Sequence, residues 1–117
     1  MKLTEIIHRL KPGVLCGDSY LDREISGGYV SDILSDVLTH AREGNIWVTR
    51  RVHLNIIPIA SARDIAAIII VKNRKPDAET LEKGESEKIP ILVTQMNAFE
   101  VTGKLYQMGI RGNAEKV

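Results

Sequence analysis

The apolar segment Ala-Ile-Ile-Ile-Val at positions 67–71 constrains the fold of this chain more than any other stretch. A continuous apolar run rich in β-branched residues is typical of a strand buried on both faces, as strands are in parallel sheets. Shorter runs of similar composition occur at residues 46–49 and 91–94. We therefore predict three strands here, and we expect the strand at residues 67–71 to be covered on both sides.

Stretches with helical spacing of apolar residues lie around these runs. Three of them carry an apolar stripe, at residues 3–10, 30–41 and 98–108. The second is expected to begin at Ser31 or Asp32 and to end before Gly44. A mostly polar helix is expected from Asp77 to about Lys88. Because strands alternate with helices, we predict an α/β fold, a layered single domain with a mainly parallel sheet flanked by helices.

Two stretches leave alternatives open. Residues 56–65 contain β-branched residues that favour a strand, but their apolar spacing and Pro58 favour a helix after Asn55, which is our prediction. Short strands are predicted at residues 14–16 and 20–25, and the second strand ends at the pair Gly27-Gly28. This pair either cradles an anion with exposed N–H groups or forms an ordinary turn, and the turn is the simpler interpretation.

The length and the charge balance exclude several classes of protein. With 117 residues the chain fits one domain, which we place at residues 3–110, followed by a flexible tail at residues 111–117. A hydrophobic fraction of 44% indicates a packed core rather than a disordered chain. The 16 basic and 15 acidic residues leave a net charge of +1, which argues against a nucleic-acid binder, because such proteins neutralise phosphates.

The chain carries no sequence signal for secretion or for membrane insertion. Cys16 is its single cysteine, so an intrachain disulfide is impossible. The position of this cysteine in an apolar run favours a core residue over a nucleophile. No apolar run approaches the ~20 residues of a transmembrane helix. We therefore expect a cytoplasmic protein that contacts no membrane.

No complete catalytic or metal-binding motif is present. The sequence has no Walker-type phosphate loop, no dinucleotide-binding glycine fingerprint and no nucleophile elbow. Asp32, Asp36 and His40 repeat every four residues on one helix face, but such a face is usually solvated, so we expect no metal there. A small enzyme that uses His53 or the Asp32–Asp36 pair for acid–base chemistry is the least favoured alternative.

Six residues form the predicted ligand site, and they are Arg23, Gly27, Gly28, Thr49, His53 and Asn55. The arginine offers a guanidinium fork to an anion, and the two glycines offer backbone N–H groups. Thr49 ends the strand at residues 46–49, and His53 and Asn55 follow it, at the end where parallel sheets bind ligands. We predict that both groups converge at one sheet edge around a small phosphorylated or carboxylated ligand. The alternative is that Asn55 only caps a helix and that His53 only satisfies a loop carbonyl.

The chain resembles the DRTGG domain family over residues 3–110. Asp22-Arg23 and Gly27-Gly28 are similar to the motif that names the family, although Glu24-Ile25-Ser26 stands in place of a single threonine. Ser26 could replace the hydroxyl of that threonine. The similarity extends to four further segments, at residues 28–37, 47–49, 53–57 and 68–76.

This resemblance implies a fold similar to the amino-terminal domain of HPr kinase/phosphorylase and of Mur ligases. Related modules accompany phosphotransacetylase domains and regulated pyrophosphatases, and stand-alone members accompany hydrogenase-type gene clusters. In those settings the module is regulatory or dimerising, so the resemblance implies a homodimer without catalytic activity. The kinase activity of the HPr enzyme belongs to a separate domain with a phosphate loop, which this sequence lacks.

Two functions follow from these observations. The first is a non-catalytic regulatory and dimerisation module that senses an adenine nucleotide, a phosphorylated metabolite or another small anion. The second is a structural interaction subunit of a larger, hydrogenase-type redox complex, without a small-molecule site. The sequence identifies no cofactor for either function.

Overall fold

The computed structural model describes residues 1–113, which form a five-stranded sheet with helices on both faces. The strands are β1 (Gly13–Cys16), β2 (Gly27–Val30), β3 (Asn45–Thr49), β4 (Ala67–Ile70) and β5 (Ile91–Val93). Their order across the sheet is β1-β5-β4-β3-β2. The strands β2 to β5 are parallel, and β1 pairs antiparallel with β5 at one edge. The predicted α/β domain with a mainly parallel sheet is confirmed.

Five α-helices connect and cover these strands. They are α1 (Leu3–Leu10), α2 (Leu34–His40), α3 (Ile56–Ala62), α4 (Ala78–Ser86) and α5 (Ala98–Gln107). Buried residues of α1 and α5 pack on one face of the sheet, and those of α2 and α3 pack on the other. Within residues 1–113, none of these helices has both the length and the apolar content needed to cross a lipid bilayer.

The alternation of side chains along β3 requires both helix layers. Ile46 and Val48 belong to the core beneath α1 and α5, whereas Trp47 belongs to the core beneath α2 and α3. Every residue of β3 and of β4 is buried. Because neither face of these central strands is solvated, residues 46–48 of β3 and all residues of β4 form continuous apolar runs.

The ambiguous stretch at residues 56–65 is helical, as predicted. Asn55 occupies the N-cap position of α3 without a capping side-chain hydrogen bond. Pro58 lies in the first turn, where its missing N–H leaves no helical bond unmade. Ile56 and Ile57 are fully buried against the sheet. The buried helix face therefore outweighs the β-branched composition.

The second helix begins later than its apolar spacing predicts. Val30 belongs to β2, and α2 starts only at Leu34. The side chains of Val30 and Ile33, which continue the stripe in sequence, are 47% and 61% exposed. The helical spacing extends beyond the helix by coincidence, because Val30 of β2 and Ile33 just before α2 fit the period.

The predicted ends of this helix are also wrong. Its N-cap residue is Ile33, which makes no side-chain cap, and the hydroxyl of Ser31 accepts a hydrogen bond from the N–H of Ile33 (3.1 Å) outside the helix. At the other end α2 stops at His40. Gly44 instead turns the chain into β3, with a φ of +82° that favours glycine.

Residues 20–25 do not form the predicted strand. A 3₁₀ turn at Asp18–Tyr20 precedes them. The following backbone pairs with the amino terminus rather than with the sheet, since the N–H of Leu3 donates to Arg23 (2.8 Å) and the N–H of Ile25 donates to Met1 (2.9 Å). The backbone of this stretch is therefore hydrogen-bonded outside the sheet.

The glycine pair Gly27-Gly28 opens β2 and forms no turn, so that prediction is wrong. Neither glycine has a positive φ. A Cβ atom on Gly27 would lie 2.8 Å from the carbonyl oxygen of Arg111, and the N–H of Gly28 donates to that same oxygen (2.9 Å). The pair therefore allows a close backbone approach, and the Gly28 amide is already bonded within the chain.

The tail predicted at residues 111–117 is described only in part. The side-chain amides of Asn113 and Asn45 exchange two hydrogen bonds (3.0 and 2.9 Å), and Gly112 forms an isolated bridge with Gly28. Residues 114–117 lie outside the described residues. For them the flexible tail stays a prediction.

Candidate functional site: an arginine cleft at the carboxyl edge

The loops that follow β3 and β4 lie side by side, because parallel strands end at the same edge of a sheet. The N–H of Val71 donates to the carbonyl oxygen of Thr49 (3.1 Å), and the N–H of Asp77 donates to that of Val52 (3.4 Å). Residues 50–53 are thereby held against residues 72–77. Thr49 and His53 lie at this carboxyl edge, where the strand assignment placed them.

A cleft of about 300 Å³ opens at this edge. Its charged lining residues are Asp32, Arg50, Arg51, His53 and Arg74. We refer to this site as the arginine cleft. Its volume lies at the lower end of the range of small-molecule sites, which begins at about 300 Å³.

The three arginines of the cleft form no ion pair within residues 1–113. The Nε of Arg51 donates to the carbonyl oxygen of Asp32, and the guanidinium of Arg74 donates to the carbonyl oxygen of Arg50. Each bond uses one of the guanidinium donors and leaves the others available. Positive charge is thus concentrated here, in a chain whose net charge is only +1.

Asp32 is the acidic group of the cleft, and donors from β3 and its following loop hold it. Its Oδ1 accepts hydrogen bonds from the hydroxyl of Thr49 (2.8 Å) and from the N–H of Arg50 (2.8 Å). The hydroxyl of Thr49 in turn accepts from the N–H of Arg51 (3.2 Å). Asp32 and Thr49 therefore fix the backbone from which two of the arginines project.

His53 lines the cleft and pairs with Asp77. The distance from its Nδ1 to the Asp77 Oδ2 is 3.1 Å, and both side chains are more than half exposed. In the described part of the chain, no hydroxyl or thiol is hydrogen-bonded to this imidazole, so a nucleophile and base are not aligned here. Asn55 lies two residues further on, exposed to solvent.

Arg23 and the glycine pair lie at the opposite, amino-terminal edge of the sheet. The Arg23 guanidinium donates to the carbonyl oxygens of Ala66 (3.1 Å) and Lys88 (2.7 Å), which precede β4 and β5. Partial burial lowers the pKa of this guanidinium from its ordinary value. The predicted convergence of Arg23, Gly27 and Gly28 with the residues after β3 is therefore wrong, because the sheet separates the two groups.

The remaining candidates have structural partners. The Asp36 carboxylate accepts from the hydroxyl of Tyr29 (2.9 Å) and lies 3.1 Å from the Nδ1 of His40. Hydrogen bonds from Ser31 and Tyr29 lower the pKa of Asp36 below its ordinary value. The Cys16 thiol donates to a backbone carbonyl (3.5 Å), and burial raises its pKa. No group of three metal-ligating side chains occurs within residues 1–113.

The sequence prediction of the site did not include the three arginines or Asp32. A signal for the arginines was present, since basic residues follow two consecutive predicted strands, at residues 50–51 and 72–75. Carboxyl ends of parallel strands meet at one edge, so the strand pattern predicts that these two basic loops are neighbours. No comparable signal existed for Asp32, because its partner Thr49 is 17 residues away.

A second exposed surface lies along β2 and α5. This groove of about 660 Å³ is lined by Val30, Ala98, Phe99, Thr102, Gly103 and Tyr106, which we call the apolar patch. Phe99 is 88% exposed and Tyr106 is 57% exposed. Contiguous exposed apolar surface is typical of interaction sites, whereas single scattered apolar residues are not.

Comparisons with known proteins identify the family. No curated protein matches the sequence. One similar solved structure is the crystal structure of the CBS and DRTGG domains of the regulatory region of Clostridium perfringens pyrophosphatase, complexed with the activator diadenosine tetraphosphate. The two share a fold with a TM-score of 0.68 and 15% sequence identity, over 87% of this chain and 44% of that chain. The family model of the DRTGG domain matches residues 5–108. This chain therefore belongs to the DRTGG domain family.

Proposed function

We propose that this domain is a regulatory module that senses a small anionic ligand, such as a nucleotide or a phosphorylated metabolite, in the arginine cleft. The observation that carries the proposal is the set of three guanidinium groups that form no ion pair with any residue from 1 to 113. A guanidinium matches the oxygen geometry of a phosphate and binds it through two parallel hydrogen bonds. The position at the carboxyl edge of parallel strands agrees with this role.

The proposal assigns different roles to the six residues predicted from sequence. His53 contributes a ring nitrogen to the ligand site, and Thr49 positions the arginines through Asp32 and the backbone. Asn55 stays a candidate for a ligand contact, since it is exposed beyond His53. Arg23 and the glycine pair at the amino edge have structural roles in this proposal.

A regulatory role is supported by the related solved structure. That protein region is regulatory, and its activator, diadenosine tetraphosphate, carries the phosphate groups that arginines favour. From this similarity we propose only that this chain is a regulatory domain that responds to an anion.

We further propose that the domain is not an enzyme and that it acts as a cytoplasmic homodimer. The His53–Asp77 pair within residues 1–113 has no hydrogen-bonded nucleophile, and Asp36 is engaged by Tyr29 and His40. The apolar patch supports dimerisation, because association of two copies would remove aromatic surface from water.

The apolar patch also favours a second function, a structural interaction subunit of a larger redox complex without a small-molecule site. Its exposed Phe99 and Tyr106 would then contact a different protein. Purification of the tagged chain from its native host should recover the redox partner if this function is correct. Recovery of the free protein alone would count against it.

The ligand proposal is tested by thermal unfolding with a panel of adenine and guanine nucleotides and small phosphorylated metabolites. A ligand at one hundred times its dissociation constant adds about 2.7 kcal/mol to the free energy of unfolding. For a chain of this length the midpoint should rise by roughly ten degrees. Arg50→Ala should abolish the rise, since this side chain lines the cleft.

Arg9→Ala is the matched control, because it removes an exposed arginine side chain of α1 that does not line the arginine cleft. This control should retain the full rise in melting temperature. A panel without any stabilising compound would contradict the ligand proposal and favour the interaction subunit.

A further inference from the structure

The carboxylate of Asp32 lies in a cleft that we propose binds an anion, although a carboxylate repels anions. It lines the same cleft as three arginines, yet it forms no ion pair with any of them within residues 1–113. A phosphate in contact with this carboxylate would be repelled, because two negative charges at short distance destabilise each other. The ligand must therefore present something other than negative charge to Asp32.

The orientation of this carboxylate is fixed. Its Oδ1 accepts from the hydroxyl of Thr49 and from the N–H of Arg50, both at 2.8 Å, and Thr49 is only 1% exposed. In the described part of the chain the Oδ2 atom has no hydrogen-bond partner. Since an ionised carboxylate has about four acceptor positions, Asp32 keeps free positions for a donor from the ligand.

We propose that the arginine cleft binds a phosphate ester with a hydroxyl group close to the phosphate, such as a sugar phosphate or a ribonucleotide, and that Asp32 accepts a hydrogen bond from that hydroxyl. The inference rests on the proposed function, because it names the ligand class of the same site. The arginines bind the phosphate. Asp32 selects the hydroxylated ligand, because a neutral donor is attracted by a carboxylate that repels a second anion.

Asp32→Asn separates this role from a structural one. The asparagine keeps an oxygen that accepts from Thr49 and Arg50, and it replaces the free carboxylate oxygen with an NH₂ group, which only donates. The variant should therefore melt near the wild-type temperature in the absence of ligand. It should bind inorganic phosphate at least as tightly as the wild type, since the repulsion is removed, and it should lose the preference for a hydroxyl.

The decisive experiment is isothermal titration calorimetry of the full chain with three probes. Adenosine 5′-monophosphate and 2′,3′-dideoxyadenosine 5′-monophosphate differ only in the ribose hydroxyl groups, and inorganic phosphate reports on the arginines alone. We expect the wild type to bind the ribonucleotide roughly tenfold more tightly than the dideoxy compound, the effect of one hydrogen bond to a charged group. Asp32→Asn should remove most of this preference while retaining phosphate binding.

The outcomes distinguish this inference from the proposed function. Equal wild-type affinity for both nucleotides, with binding lost in Arg50→Ala, would overturn the role of Asp32 and support anion sensing. A hydroxyl preference that persists in Asp32→Asn would also overturn that role. Failure of all three probes to bind would overturn the inference, whereas the panel of nucleotides and phosphorylated metabolites tests the proposed function separately. The comparison of the two nucleotides needs only the wild type, so it stands even if the variant does not fold.

Discussion

Arg23 lies at the amino edge of the sheet and Arg50 at its carboxyl edge, and their guanidinium groups differ in hydrogen bonding and in burial. At the amino edge, Arg23 donates to the carbonyl oxygens of Ala66 and Lys88 and is partly buried. At the carboxyl edge, the side chain of Arg50 is exposed, lines the arginine cleft and has no hydrogen bond or ion pair within residues 1–113.

The difference shows why an arginine cannot be assigned to a ligand site from its residue type. At the amino edge a charged donor completes the backbone hydrogen bonding where two strands begin. At the carboxyl edge the side chains of Asp32 and Thr49 already bond the loop N–H groups of Arg50 and Arg51. Arg51 and Arg74 each use one guanidinium donor for a backbone carbonyl, and Arg50 uses none within residues 1–113, which leaves donors and charge for a partner outside the chain.

The largest effect that follows from this comparison is expected for Arg23→Ala. Loss of the bonds to Ala66 and Lys88 should lower the free energy of unfolding by about 2 kcal/mol, since these bonds come from a charged donor. Urea unfolding measures the change. Arg50→Ala is the matched variant and should stay within about 0.5 kcal/mol of the wild type. Equal losses in both variants would remove the distinction between the two edges.

A smaller loss, about 1 kcal/mol, is expected for Gly27→Ala at the amino edge. The new methyl group would lie 2.8 Å from the backbone oxygen of Arg111, which must then move. Gly103→Ala in α5 is the control, because its methyl group meets no atom within 4 Å and alanine favours a helix. Thermal and urea unfolding of both variants test this. An unchanged free energy of unfolding in Gly27→Ala would mean that the backbone near Arg111 moves at little cost.

The smallest expected effect is a salt-dependent change in the stability of Arg50→Gln. At low ionic strength Arg50→Gln should raise the free energy of unfolding by up to about 0.5 kcal/mol, because it removes one of several like charges. The gain should vanish near 1 M salt, where the Debye length falls to about 3 Å. Arg23→Gln should destabilise the domain at both ionic strengths. A salt-independent effect of Arg50→Gln would argue against unbalanced positive charge in the cleft.

The elements with the strongest apolar patterns were predictable from local sequence. The buried strand at residues 67–71 and the last helix at residues 98–108 were found close to their observed positions, because burial on one or both faces leaves a periodic trace. The start of β2 was missed, since glycines carry no apolar signal. The reason for those glycines is the carbonyl of Arg111, far along the chain.

The candidate site was predictable only in part. Thr49 and His53 lie at the predicted edge of the sheet, because the end of a parallel strand can be located in the sequence, while their role in a ligand site stays a prediction. Arg74 and Asp32 were not selected, since each joins the cleft through residues on another element. Arg23 was placed with the wrong group because a sequence motif does not show on which sheet edge its residues lie.

By itself the sequence determined the alternation of strands and helices, the burial of the central strands and the absence of a complete catalytic motif. These features depend on the character of short segments, which local composition and period report directly. The tertiary structure alone decided the order of the strands, the neighbouring position of two basic loops and the partner of each arginine. Those properties depend on contacts between distant residues, and the same guanidinium is structural or available according to which backbone groups the fold brings within its reach.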